Sequence, residues 1–271
     1  MPYTQRMNAS CQKNTDDIIR ALVDHAPIKV WSYLATIFGD LAGGPQDEIS
    51  GAMLRTLTER AGIKPEAMRV ALHRLRKDDW IVARKAGRNS LYRLSARGLA
   101  ETQRASDRIY ARRIDRPDMW HLLIADPVSN AFPASVDALM KNGDYLSISP
   151  AIVLGTGPCP PVSDDVLTLD FTRLTAPPWL LRNAIAEEGV AMYRRTADLL
   201  TQTADRLDPV DAAAPVDRAT IRLLALHQWR RIALRHSPLI EMLHSDDWAG
   251  TTCRTAIARI LDQLPRPAGE F

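Results

Sequence analysis

Between Ser50 and Leu94 the apolar residues change period once, and that change restricts the fold more than any other feature of the chain. Up to Lys77 they recur three and four residues apart. Met53, Leu54 and Leu57 share one face of a helix that Ser50 can cap and Gly62 ends. Pro65 opens a second helix that runs to about Lys77. Past that point the spacing shortens. Trp80–Lys85 and Leu91–Leu94 predict two strands, with Gly87-Arg88-Asn89 as the turn between them. An earlier helix, about Lys29 to Leu41, is apolar through Val30, Tyr33, Leu34, Ile37 and Phe38 and is broken by Gly43, Gly44 and Pro45. Three helices followed by a basic hairpin predict a winged helix-turn-helix.

Charge is concentrated on this same segment. Gly51 to Arg116 holds 17 Lys+Arg against 7 Asp+Glu, a local balance of +10, while the remainder carries 18 against 25, or −7. A concentrated basic patch is the electrostatic footprint of a polyanion partner; its bland alternative is a solvated arginine-rich face.

At 100° per residue, Met68, Ala71, Leu72 and Leu75 fall on one side of the Glu66–Lys77 helix. Glu66, Arg69, Val70, His73 and Lys77 stand opposite, with Arg74 and Arg76 on the flanks. A helix seated in the major groove needs this layout of apolar back and donor-rich front. Arg69 and His73 are the candidates for reading base edges, and Arg74, Arg76 and Lys77 for phosphates. The hairpin adds Arg84, Lys85, Arg88 and Asn89, placed to enter a minor groove or clasp a phosphate, with Arg93 on the returning strand.

The rest of the chain predicts an α+β class. A helix over Asn14–His25 carries Ile18, Ile19, Leu22 and Val23 on one stripe, and a long helix leads out of the basic module from Ala96 to about Arg113. Strands are expected at Trp120–Ala125, Tyr145–Leu154 and Val166–Phe171, with helices at Ser135–Lys141 and Trp179–Leu200. Asp205–Pro215 reads as a linker, and Asp217–His236 and Thr251–Leu264 as helices. The expected domains are an N-terminal helical extension (1–28), the DNA-binding module with its linker helix (29–116), an α+β middle domain (117–204) and a C-terminal helical domain (205–271).

Several function classes find no support. No apolar run approaches the roughly 20 residues that span a bilayer, and the polar Met1–Lys13 stretch lacks the apolar core of a signal peptide. Cys11, Cys159 and Cys253 are scattered, which suits a reducing cytoplasm rather than a disulfide or zinc framework. The chain has no GxSxG, HExxH, P-loop or dinucleotide-binding motif, and His227, His236 and His244 are not at metal-ligand spacing. No catalytic residue, metal or cofactor is expected.

The order of motifs is that of a known family. Phe38-Gly39-Asp40, the run Ala67 to Leu75, Trp80-Ile81, Gly87-Arg88, Tyr92-Arg93-Leu94 and Gly98 resemble the N-terminal domain of PaaX-like repressors of phenylacetate catabolism. His227-Gln228-Trp229-Arg230-Arg231 through Arg235, Pro238 and Trp248-Ala249-Gly250 resemble that family's C-terminal helical domain. The resemblance implies a middle ferredoxin-like domain and a cytoplasmic, homodimeric transcriptional repressor acting on a palindromic double-stranded operator. It also implies an effector, phenylacetyl-CoA or another acyl-CoA, that relieves DNA binding. Such a ligand needs arginines for its phosphates and an apolar slot for its acyl group. Arg230, Arg231 and Arg235 beside Trp229 could supply the first, and Trp179 or Tyr193 the second. The alternative reading is a metal-dependent nucleic-acid enzyme built on the ferredoxin-like domain, with Asp126, Asp144 or Asp170 at strand ends binding Mg²⁺.

Overall fold

A computed structural model describes residues 3–87, 89–126, 128, 136, 140, 145–207, 213–244, 247–267 and 269, with side chains from residue 12 onward. The described chain is mixed α+β, with ten helices and two small antiparallel sheets. No described helix is long and apolar enough to cross a membrane. Residues group into two compact units, each discontinuous in sequence: 1–111 with 195–231 and 253–271, and 112–194 with 232–252.

The first unit opens with α1 (Tyr3–Asp24) and α2 (Val30–Leu41), followed by the short strand β1 (Ile49–Ser50). Then come α3 (Gly51–Arg60), α4 (Pro65–Lys77), β2 (Ile81–Ala86), β3 (Asn89–Leu94) and α5 (Ala96–Tyr110). Ser50 Oγ accepts from the Met53 amide at 3.1 Å and starts α3. α3 and α4 end alike. Ile63 N donates to Thr58 O at 2.9 Å around Gly62 at φ +76°, and Trp80 N donates to Leu75 O at 2.8 Å around Asp79 at φ +50°. Each is a six-residue closure whose penultimate residue is left-handed, a conformation that glycine takes freely and aspartate tolerates. The strands form a sheet in the order β1-β3-β2. Ser95 joins hairpin to helix: its Oγ caps α5 by accepting from Gly98 N and donates to Asp79 O at 2.7 Å.

The same unit takes in most of α8 (Pro215–Ala233) and α10 (Ala249–Gln263). α8 is buried continuously from Ala219 to Trp229, as a helix surrounded on all sides must be. Its polar side chains are therefore tied internally. Arg222 forms a two-pronged pair with Asp40 on α2 at 2.7 and 2.8 Å, Gln228 donates to Leu22 O at 2.7 Å, and Trp229 Nε1 donates to Ile109 O at 2.9 Å. The Arg254 guanidinium lies 5.1 Å from the Trp229 ring centroid.

The second unit holds β4 (Trp120–Ile124), β5 (Leu146–Ser149), β6 (Ile152–Thr156) and β7 (Leu167–Phe171). Their order is β5-β6-β4-β7, with every neighbouring pair antiparallel. Leu123, Val153 and Val166 pack on one face with Val136; most of the expected Ser135–Lys141 helix lies outside the described residues. The single strand expected over Tyr145–Leu154 is a hairpin. Pro150 cannot donate to a ladder, and the chain turns there at Pro150-Ala151. The helix expected over Trp179–Leu200 is two helices, α6 (Pro178–Ala184) and α7 (Glu187–Asp205). They part at Ile185, extended at φ −146°, whose side chain lies over Gly189, where a Cβ would come within 2.6 Å. A short helix, α9 (Leu239–Leu243), lies between the two helices expected at Asp217–His236 and Thr251–Leu264.

Candidate nucleic-acid interface

α4 packs against α2 and α3 through Met68, Ala71, Leu72 and Leu75, all buried. That packing turns Arg69, Val70, His73, Arg74, Arg76 and Lys77 to the surface, where all are exposed. Arg69 reaches back to Glu66 at 2.8 Å, and Arg74 to Asp78 at 3.6 Å. Both pairs are solvent-exposed, and such pairs contribute at most about 1 kcal/mol, so a phosphate or a base edge can replace either carboxylate. The α4 dipole adds nothing to the basic end: three cations, Arg74, Arg76 and Lys77, already sit in its last turn, where they offset its partial negative charge.

The hairpin extends this surface. Arg84 faces Leu91 across β2–β3, Lys85 faces Ser90 and Ala86 faces Asn89, with Gly87 left-handed at φ +60° to start the turn. Arg84, Lys85, Asn89 and Arg93 are exposed; Arg88, the expected tip, lies outside the described residues. Arg84 is engaged, forking onto Glu48 at 2.7 and 2.5 Å, and this hydrogen-bonded guanidinium holds the Glu48 carboxyl below the usual carboxylate range.

Two residues of this surface have no contact assigned to them in the sequence reading. Val70 is 71% exposed between Arg69 and His73, an apolar group that suits a thymine methyl. Its place on the outward face was legible; its use was not, because a valine carries no polar signature. Trp31, 40% exposed on α2, takes the Arg74 guanidinium 5.9 Å from its ring centroid and aims that side chain. Only tertiary packing brings these two together.

The residues expected to hold an effector fall in both units. In the first, Trp229 is buried with its N–H already donated, Arg230 reaches Ser32 O at 3.4 Å and Ser32 Oγ at 3.3 Å, and Arg231 donates to Gln228 Oε1 at 2.9 Å. In the second, Tyr193 is buried, donates to Ile232 O at 3.2 Å and lies 4.9 Å from the Trp248 ring. Trp179 is 47% exposed on α6, and Arg235 is exposed. A cavity of about 390 Å³ opens beside the α3–α4 turn, lined by Val23, Ile28, Ala61, Ile63, Lys64 and Ala67.

Of the carboxylates considered for Mg²⁺, Asp170 accepts from the Cys159 amide at 3.1 Å, Asp126 accepts from the Val128 amide at 2.9 Å, and Asp144 lies outside the described residues. Among the described residues no three His, Cys, Asp or Glu side chains are grouped to hold a metal ion. His121 is buried in β4, bridging Gly157 O and the Tyr145 hydroxyl at 2.9 Å each.

Residues 29–98 match the family of PaaX-like proteins, and residues 184–271 match the PaaX-like protein C-terminal domain. The chain is 28% identical to the transcriptional repressor PaaX of Escherichia coli (strain K12), over 94% of this chain and 87% of that protein. A solved structure, the uncharacterized protein Rv0674 from Mycobacterium tuberculosis, is similar with a TM-score of 0.50 at 20% identity, covering 87% of this chain and 97% of that one. At that identity the likeness speaks for the fold alone. The two family matches follow in chain order and together take in more than half of the sequence, so the chain belongs to the PaaX-like family.

Proposed function

We propose that this protein is a sequence-specific DNA-binding repressor, not an enzyme, that works in the cytoplasm as a homodimer on a palindromic operator. The observation that carries the reading is α4: four apolar side chains are buried behind a face of Arg69, Val70, His73, Arg76 and Lys77. α2, α3 and α4 followed by the β2–β3 hairpin support a winged helix-turn-helix. In that arrangement α4 enters the major groove and Arg84, Lys85, Arg88 and Asn89 meet the backbone or the minor groove. Arg69 and His73 read base edges, Val70 rests on a thymine methyl, and Arg74, Arg76 and Lys77 hold phosphates.

The strand order β5-β6-β4-β7, all antiparallel, with Val136 and Met140 packed against one face, supports a ferredoxin-like middle segment. An acyl-CoA effector such as phenylacetyl-CoA is proposed from the resemblance to PaaX-like repressors, with Trp179, Tyr193, Trp229, Arg230, Arg231 and Arg235 as its candidate contacts. It would act by binding the DNA-incompetent arrangement more tightly than the competent one.

Gel-shift titration on the promoter region beside the protein's own gene, at two salt concentrations and against random competitor DNA, tests the first half. Competitor-resistant binding that Arg69→Ala makes less sequence-selective is expected; binding erased by random DNA overturns it. Thermal melting against a panel of acyl-CoAs and aromatic acids tests the second half. A ligand that raises the Tm and releases the shifted band supports it, and no response to any of them refutes it.

A further inference from the structure

The four-stranded sheet ends on β7, and no described strand lies against its outer edge. Open edges invite pairing with another chain and are normally blunted by a lysine, a proline or a bulge. β7 reads Leu167-Thr168-Leu169-Asp170-Phe171, carries none of these and one charge, Asp170, whose carboxylate accepts from the Cys159 amide, and is exposed from Leu167 through Asp170. Leu167 is 60% and Leu169 45% exposed, a large apolar exposure for a strand. Registered with Ile124, Leu122 and Trp120 of β4, Leu167, Leu169 and Phe171 lie on the sheet face opposite the Leu123–Val153 core.

We propose that β7 pairs antiparallel with β7 of a second copy of this chain, about a two-fold axis through Leu169. The choice of occupant rests on self-complementarity, which an isologous interface demands. With the axis at Leu169, residues whose numbers sum to 338 face each other. Leu167 then meets Phe171 of the partner subunit, Leu169 meets Leu169 of the partner subunit, and Thr168 meets Asp170 of the partner subunit. Just beyond the strand, Asp165 meets Arg173 of the partner subunit; both are exposed. Each apolar residue faces an apolar one and the flanking charges are opposite in sign, as favourable cross-strand pairs require. An axis through Asp170 would set two carboxylates against each other, and one through Thr168 would leave Asp165 opposite a phenylalanine.

This inference deepens the homodimer in the proposed function and rests on that reading only for its purpose, not for its geometry. Sedimentation velocity on the full chain without DNA is the test. The wild type is expected to form a dimer in a concentration-dependent way, and Leu169→Glu, which places two carboxylates on the axis, to raise the dimer dissociation constant at least tenfold with an unchanged circular dichroism spectrum. Arg173→Asp is expected to weaken the dimer and the further change Asp165→Arg to restore it. In a background with Cys11, Cys159 and Cys253 replaced by alanine, Leu169→Cys is expected to cross-link under mild oxidation, because facing residues of antiparallel strands sit about 4.5–5.5 Å apart at Cα, within disulfide reach. Thr168→Cys is expected not to. The cross-link does not depend on the glutamate variant folding. A chain monomeric at every concentration, or a dimer that Leu169→Glu leaves intact and Leu169→Cys does not link, overturns the proposal. A monomer that still binds its operator defeats this interface alone; a β7-linked dimer that ignores operator DNA defeats the functional reading alone.

Discussion

Asp40 is the side chain with most at stake. Its carboxylate is fully buried, takes both prongs of Arg222, accepts from the Tyr110 hydroxyl at 2.9 Å and is approached by Arg266 at 3.3 Å. Burial and the adjacent Asp40 charge push the Tyr110 hydroxyl above its usual range, so it stays a donor. Arg222 in turn caps the end of α10 by donating to Leu264 O at 2.7 Å. Removing one partner of a buried pair strands the other charge, so Asp40→Ala is expected to cost about 3–5 kcal/mol in urea unfolding. His227 tests the same region by pH. Thr36 Oγ1 donates to Ser32 O, so at 3.3 Å it accepts from His227 Nδ1, and Nε2 is left buried without a partner. Burial, reinforced by Arg230 and Arg231, pushes this imidazole down to about 3. The unfolded chain, titrating near 6.5, then binds the proton more readily than the folded one. Stability is expected to be fullest above pH 6.5 and to fall as the pH drops from there towards 3, with His227→Gln flattening that slope in pH-dependent melting.

At the scale of elements, two glycines determine whether α3, α4 and the hairpin keep their angles. Gly62 is left-handed at the α3–α4 turn, and Gly62→Ala is expected to lose roughly 1–2 kcal/mol by thermal unfolding, since an L side chain is disfavoured there by about that amount. At Gly98 the obstacle is space rather than dihedral angle: an added Cβ would stand 2.1 Å from the Trp80 carbonyl oxygen. Gly98→Ala must therefore push α5 off the hairpin, and amide exchange in β2 and β3 is expected to accelerate more than in α4. These elements were legible in the sequence because each is short-range: a 3.6-residue stripe, a Ser cap, a glycine stop. The turn at Pro150 and the break at Ile185 were not, since strand lies on both sides of the one and helix on both sides of the other, and the period of the apolar residues does not change across either.

For the whole molecule, the exposed basic face predicts a salt response. If Lys77 holds one phosphate, Lys77→Ala is expected to lower the slope of log K against log salt by about 0.9 while leaving sequence preference unchanged. Arg69→Ala is expected to do the reverse, and equal behaviour of the two variants on operator and random DNA would contradict the division between base and backbone contacts. A two-fold dimer on DNA further predicts half-sites centred about 34–36 Å apart, measurable by footprinting.

By itself the sequence determined the amphipathic α4, its basic front, the hairpin after it and the family motifs at both ends, because periodicity, capping and local charge act within a few residues. What it could not show is which distant segments share a core. Only the fold shows that Trp229 lies in an enclosed stretch of α8 with its N–H donated to Ile109 O. Asp40 and Arg222 are 182 residues apart, and only the fold makes them one buried pair. Exposure of Leu167 and Leu169 was equally hidden. Hydrophobicity reports a preference for burial, while tertiary packing decides which side chains are granted it.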